Sequence, residues 1–189
     1  MRFTLVDRVL ELEPGAKITT VKVLSLAEEY LADHFPRFPV MPGVLMLEAM
    51  TQAAAMLVRV TEDFAHSMVV LKEARNVKYA DFVQPGQTLT ITAEILKQDD
   101  RETQLKAQGT VAGKPAVSGR VVLERYNLAE QRPDLAVTDA LVSRQMRELL
   151  ANLWNPALDL AGDEFGASGP DRGETNGAGH AVTAGYRAG

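Results

Sequence analysis

Between Gly43 and Val60 the chain reads GVLMLEAMTQAAAMLVRV, with no proline, no second glycine and apolar residues on every side of a 3.6-residue period. A helix of that kind has no face to offer water. It must be enclosed by protein, and in a chain of 189 residues the enclosing element is expected to be a sheet wrapped around it. Ala49, Ala53, Ala54 and Ala55 would let strands approach it closely. One residue conflicts with this reading: Glu48 is a lone carboxylate in the apolar run, and burying its charged form unpaired would cost on the order of several kcal/mol.

The remaining sequence supplies the sheet. Residues 3–12 and 17–25 are β-type runs split by the turn dipeptide Pro14-Gly15 and predict a hairpin. Residues 26–33 suit a short helical turn, after which Pro36, Pro39 and Pro42 forbid regular structure until the helix starts at Pro42-Gly43. Residues 67–73 and 76–83 read as strands, followed by a turn at Pro85-Gly86. Over 88–97 the alternation places Leu89, Ile91, Ala93 and Ile95 on one face; Leu105, Ala107 and Val111, then Val117, Val121 and Leu123, continue the inward pattern. The expectation is an α+β domain: a hairpin, a buried helix, then a meander of about four strands.

After Arg125 the texture changes. Residues 138–154 place Val142, Met146, Leu149, Leu150 and Leu153 on one stripe, predicting an amphipathic helix capped by Thr138 or Asp139. Eight glycines between Ala161 and Gly189 predict a flexible tail. The chain thus divides into a domain over 1–126, a helical extension over 127–160 and a glycine- and alanine-rich tail over 161–189.

Composition excludes several kinds of chemistry. The net charge is −5, with nine acids against five arginines after Tyr126, so no basic field over 1–126 invites nucleic acid. Without cysteine there is neither a disulfide nor a thiolate site. No apolar run of about 18 residues suggests a membrane span, and MRFTLVDRVLELEPG lacks the apolar core of a secretion signal, so a cytoplasmic location is expected. Glycine-rich phosphate loops and nucleophile elbows are absent. His34, His66 and His180 are too scattered for a metal site, and no cofactor is expected.

What remains is acid–base chemistry. Taken singly, Glu48 has an ordinary explanation as a seam carboxylate and His34 as a loop residue satisfied by backbone. Together, within HFPRFPVMPGVLMLEAMTQ, they share a logic. Pro42 and Gly43 begin the helix, so its unpaired amides and positive dipole end face the loop carrying His34. Glu48 lies about 7 to 8 Å further along the axis at 1.5 Å per residue. An imidazole, a carboxyl group and a donor-rich helix start are the parts needed to remove a proton beside a carbonyl. Gln52, one turn beyond Glu48, shares its face and is expected to orient it.

The residues His34, Pro36, Pro39, Met41, Pro42, Gly43, Glu48 and Gln52 resemble the signature of the (3R)-hydroxyacyl-acyl-carrier-protein dehydratases of type II fatty acid synthesis, and the likeness extends from Leu5 through Val83-Gln84-Pro85-Gly86 to about Arg125. Asp33 and Arg37 depart from it, standing where that family commonly has glycine. The resemblance implies a hot-dog fold, a curved antiparallel sheet wrapped around one long helix. It also implies dehydration to the trans-2-enoyl thioester, with His34 as base, Glu48 as acid and Gly43 as oxyanion donor. The substrate would be carried on the phosphopantetheine of an acyl carrier protein. The resemblance further implies a homodimer in which His34 of one chain faces Glu48 of the other, such dimers often pairing into hexamers. Tyr79 and Phe82 are candidates for the acyl tunnel, and Arg37, Lys72, Arg75 and Lys78 for contact with the acidic carrier. The alternatives are a non-catalytic acyl-binding hot-dog module, which would have no need of the His34 and Glu48 pair, and a hot-dog thioesterase.

Overall fold

The computed structural model describes residues 3–154, so the expected flexible tail over 161–189 and the end of the extension lie outside the described residues. Six strands form one antiparallel sheet: β1 (Arg8–Glu13), β2 (Lys17–Val23), β3 (Met68–Tyr79), β4 (Thr88–Gln98), β5 (Glu102–Val111) and β6 (Lys114–Tyr126). Their order is β1-β2-β4-β5-β6-β3. The helix α1 (Gly43–Thr61) lies against β2, β4, β5, β3 and β6, so the apolar run is enclosed as its all-round pattern requires. Met50, Ala53, Ala54, Leu57 and Val58 are fully inaccessible to solvent, as are Ile18, Leu89, Ile91, Leu105, Val121 and Leu123 opposite them. Each of the larger of these side chains contributes about 1.5 to 3 kcal/mol through burial. By length and composition alone α1 could cross a membrane, yet ten of its residues are packed inside this core.

Two details of the sheet differ from the expectation. The runs 67–73 and 76–83 are one strand, β3, interrupted by a bulge: the register with β6 jumps between Arg75 and Lys78, and Asn76 has φ 53°. Residues 80–83 leave the ladder, with the amides of Ala80 and Asp81 both donating to the Ala116 carbonyl. The meander is also shorter than expected. It holds for β4, β5 and β6, whereas β3 crosses to the far edge and pairs with β6.

The C-terminal helix α2 (Ala136–Leu153) packs Met146, Leu149, Leu150 and Leu153 against the core. Its start is not capped by Thr138 or Asp139, because a 3-10 turn over Pro133–Leu135 leads into it and places Leu135 at the cap position. Asp139, buried within the first turn, instead accepts hydrogen bonds from the Ser67 hydroxyl and from the amides of Leu128 and Ala129 at 2.9 Å each. Burial alone would raise its carboxyl pKa, but these donors outweigh that and hold it below the ordinary value.

Candidate active site

Glu48 shares one stripe of α1 with Gln52, Ala55 and Arg59. That stripe lines a cavity of ≈ 540 Å³, bounded also by the N-terminal segment from Phe3 to Val9, by Val69–Leu71 of β3 and by α2. A hydrogen-bond chain fixes the acid: Gln52 Nε2 donates to Glu48 Oε1 at 3.0 Å and to the Phe3 carbonyl at 3.2 Å, while Gln52 Oε1 accepts the Leu5 amide at 2.8 Å. The residue beside the acid therefore ties it to the N-terminal segment. Rotation of the Gln52 amide would exchange donor for acceptor against Leu5 and Phe3, so its orientation is specified.

His34 belongs to different surroundings. A 3-10 turn over Glu29–Leu31 precedes it, and its amide donates to the Tyr30 carbonyl at 3.1 Å. Its Nδ1 lies 3.1 Å from the Val40 carbonyl. A carbonyl can only accept, so Nδ1 carries the proton in the neutral ring and Nε2 keeps its lone pair. The next residue, Phe35, has φ 31°, a left-handed conformation costly for a side chain of that size. Its ring lies 4.3 Å from the imidazole, centroid to centroid. Neither Asp33 nor Arg37 has positive φ, so their replacement of glycine forces no backbone strain.

The loop and the end of β3 meet in a group of half-exposed aromatic residues. Phe38 and Phe82 contact edge to face at 5.6 Å, and the Met41 amide donates to the Val83 carbonyl at 2.9 Å. Tyr79 covers the start of α1: a Cβ on Gly43 would stand 3.0 Å from the Tyr79 ring, so this approach depends on glycine. The Pro42 carbonyl accepts from Leu45 and Met46, and the amides of Gly43 and Val44 precede the first intrahelical donors. The structure thus brings Glu48 to Gln52, Gly43 to Tyr79 and Phe38 to Phe82, whereas His34 is not among the residues lining the Glu48 cavity.

The basic candidates on β3 are exposed and in part engaged. Lys72 pairs with Glu102, and Arg75 with Glu73 at 2.5 Å; Lys78 and Arg37 also face solvent. Sequence reasoning missed Arg59, which lines the cavity and donates through Nη2 to the Ser67 carbonyl at 3.3 Å. Burial lowers its pKa to about 10. Its spacing from Glu48 and Gln52 on one helical face was the available signal. Among the described residues no group of three His, Cys, Asp or Glu side chains is placed to hold a metal ion.

A scan against family models matches residues 1–125 to the FabA-like domain, and the chain belongs to that family. Within it, the chain is similar to proteins named 3-hydroxyacyl-[acyl-carrier-protein] dehydratase FabZ. It is 43% identical over 119 residues to that of Ruminiclostridium cellulolyticum, covering 63% of this chain and 84% of the relative. With that of Rickettsia rickettsii it shares 40% identity over 119 residues, covering 62% and 82%. Among solved structures, the dehydratase heterocomplex ApeI:P from Xenorhabdus doucetiae matches with a TM-score of 0.57 at 20% identity, over 70% of this chain and 90% of that one. A Streptococcus mutans protein, smu.793, bound to acetyl CoA, matches with a TM-score of 0.53 at 12% identity, over 67% and 93%. These structural likenesses carry the fold: the six-stranded sheet around α1 is a hot-dog fold.

Proposed function

We propose that the protein is a 3-hydroxyacyl-acyl-carrier-protein dehydratase of fatty acid or lipid biosynthesis, working in the cytoplasm as a homodimer whose two sites each combine His34 of one chain with Glu48 of the other. The observation that carries the chemistry is the oriented acid: Glu48, held by Gln52, opens onto an apolar cavity large enough for an acyl chain. The fixed tautomer of His34, with Nε2 available as a base, supports the second half. Sharing between chains is supported by the absence of His34 from that cavity and by β3, a twelve-residue edge strand exposed from Leu71 to Ala74 and at Tyr79.

In the proposed reaction His34 Nε2 takes the proton from the α carbon of the (3R)-hydroxyacyl thioester. Charge develops on the thioester oxygen, which accepts from the helix start at Gly43. As the Cα=Cβ bond forms, the Cβ–O bond breaks and the hydroxyl leaves as water with a proton from Glu48. Return of the proton from His34 to Glu48 resets the pair. The carrier's phosphopantetheine arm would enter past Arg37 and the Phe38 and Phe82 pair, whose apolar rings suit a thioester-bearing arm. Incubation with (3R)-hydroxyacyl-carrier-protein substrates of graded chain length should yield trans-2-enoyl product. Binding without turnover at every length would favour the acyl-binding module instead.

A further inference from the structure

Helix α2 lies wholly beyond residues 1–125, the extent of the family domain, yet it forms one wall of the cavity onto which Glu48 opens. Met146, Leu149 and Leu153 line that wall. The same side chains that pack against the core also bound a cavity of ≈ 540 Å³, so α2 is a wall of that space as well as a cover.

Polar anchors at the turn joining α1 to β3 hold α2 in place. Arg147 donates to the Asp63 carboxylate at 2.6 Å and to the Asp63 carbonyl at 2.5 Å, and its guanidinium lies 4.5 Å from the Phe64 ring centroid. Asp63 and Phe64 have φ of 48° and 58°, so the turn that receives Arg147 is itself tightly wound. Asp139 adds its bonds to Ser67, Leu128 and Ala129. These contacts add to the apolar packing that places α2 against the core, and the face so placed shapes the cavity.

The lining has a polarity gradient along α1. Glu48 stands at one end of the stripe and Arg59 at the other, about 16 Å apart along the axis at 1.5 Å per residue. Between them the helix presents Thr51 and Gln52 beside the acid, then Ala55 and Met56. Arg59 Nε is buried without a hydrogen-bond partner, so an alkyl chain reaching it would further desolvate a guanidinium. The helix side of the cavity is therefore polar near Glu48, apolar at Ala55 and Met56, and polar again at Arg59.

We infer that α2 is the chain-length selector of this active site: the acyl chain of the hydroxyacyl thioester lies between α1 and the Met146, Leu149 and Leu153 face of α2. This rests on the dehydratase reading of Glu48. The occupant is an acyl chain because the volume opens on the reacting carboxyl group and its lining is mostly apolar, with Met146, Leu149 and Leu153 facing Ala55 and Met56, which suits neither a nucleotide nor a sugar.

The test uses the full chain and a series of (3R)-hydroxyacyl-carrier-protein substrates from short to long, comparing wild type with Leu149→Trp, Leu149→Ala and Val137→Trp. Val137 is 80% exposed on α2 and controls for insertion of a bulky ring into the helix. Leu149→Trp should lower the ratio of kcat/KM for long over short chains by about tenfold or more, and Leu149→Ala should raise it, on the scale set by a methylene in an apolar pocket. Val137→Trp should leave the ratio unchanged. Should Leu149→Trp fail to dock α2, Leu149→Ala, read with thermal melting to confirm folding, decides alone. An active wild type whose length profile is the same in all variants overturns the selector while leaving the dehydratase intact. A wild type that converts no substrate overturns the dehydratase reading and the selector with it.

Discussion

The surroundings of Glu48 and of His34 are built in opposite ways. Glu48 stands on the more deeply enclosed of the two α-helices among the described residues, its carboxylate held by Gln52, which is bonded in turn to Leu5 and Phe3. His34 stands on a proline-rich loop among half-exposed aromatic rings, beside a strained Phe35. Glu48 is held by its own chain, whereas the His34 ring is oriented by the Val40 carbonyl and is not among the residues that line the Glu48 cavity. The proposed catalytic pair needs both parts within hydrogen-bond reach of one substrate, and in the proposed dimer the less enclosed half comes from the partner chain.

The sharpest way to break this comparison is to remove each half separately. His34→Ala should reduce dehydration by about 10² to 10⁴ or more, the range for a positioned general base, and more still if His34 also orients the substrate. Glu48→Gln keeps shape and hydrogen bonding but cannot give up a proton as an acid can, and should fall by orders of magnitude with the fold intact. Near-normal turnover would assign both protons to His34. Because the halves are proposed to come from different chains, mixing the two inactive variants should restore part of the activity through mixed dimers holding one intact pair. Mixed dimers verified by mass that remain inactive would count against the shared site.

A smaller effect is expected from loosening the enclosed half. Gln52→Leu leaves the Leu5 amide, the Phe3 carbonyl and Glu48 Oε1 without their shared partner. Leaving a buried polar group unsatisfied costs about 1 to 3 kcal/mol, and because these groups are only part-buried or exposed, thermal or denaturant unfolding should register a loss below that range. Activity should fall through kcat more than KM, because the acid is misplaced and not removed. An equal loss of activity in Gln52→Glu, which keeps the acceptor for Leu5 but not the amide donor, would identify the donation to Glu48 and Phe3, and not the Leu5 bond, as the part that matters.

These two halves were unequally legible in the sequence. An all-round apolar helix forces enclosure, and the alternation from Leu89 to Ile95 assigns an inward face, because both follow from local periodicity. The position of β3 beside β6 depends on a pairing between distant segments, and the Asn76 bulge hides its continuity; neither leaves a periodic trace. Asp139 was misread because a side chain at a helix start has the same local pattern whether it caps its own helix or bonds a neighbouring turn. The Glu48 and Gln52 contact was readable from helical spacing. The α2 wall was not, since an amphipathic stripe says that a helix packs and does not say against what.

Arg37 should separate carrier recognition from chemistry in the more exposed half. It is exposed on the His34 loop, and its planar guanidinium suits carboxylates or a phosphate. Arg37→Ala should raise KM for carrier-bound substrate several-fold with little change in kcat, and added salt should erase the difference between variant and wild type. The same loss with a short thioester lacking the carrier would place Arg37 in the chemistry.

The smallest expected effect concerns acid, and it separates the two regions without altering the active-site pair. The Asp139 carboxyl has a pKa held below its ordinary value by Ser67, Ala129 and Leu128 in spite of its burial. A group whose folded pKa is depressed contributes stability that is present above its unfolded pKa, about 3.9, and is lost as pH falls through the lower folded value. Acidification through and below about pH 4 should therefore release the start of α2 from the Ser67 turn, exposing the wall of the Glu48 cavity. Amide exchange followed as pH is lowered should rise in α2 and at Leu128 and Ala129 before it rises in β2 or β4, and Asp139→Asn should show the released pattern already at neutral pH, with a melting temperature lower by a few degrees. Simultaneous release of all these segments in both proteins would mean that acid unfolds the domain as a whole and that Asp139 holds nothing separately.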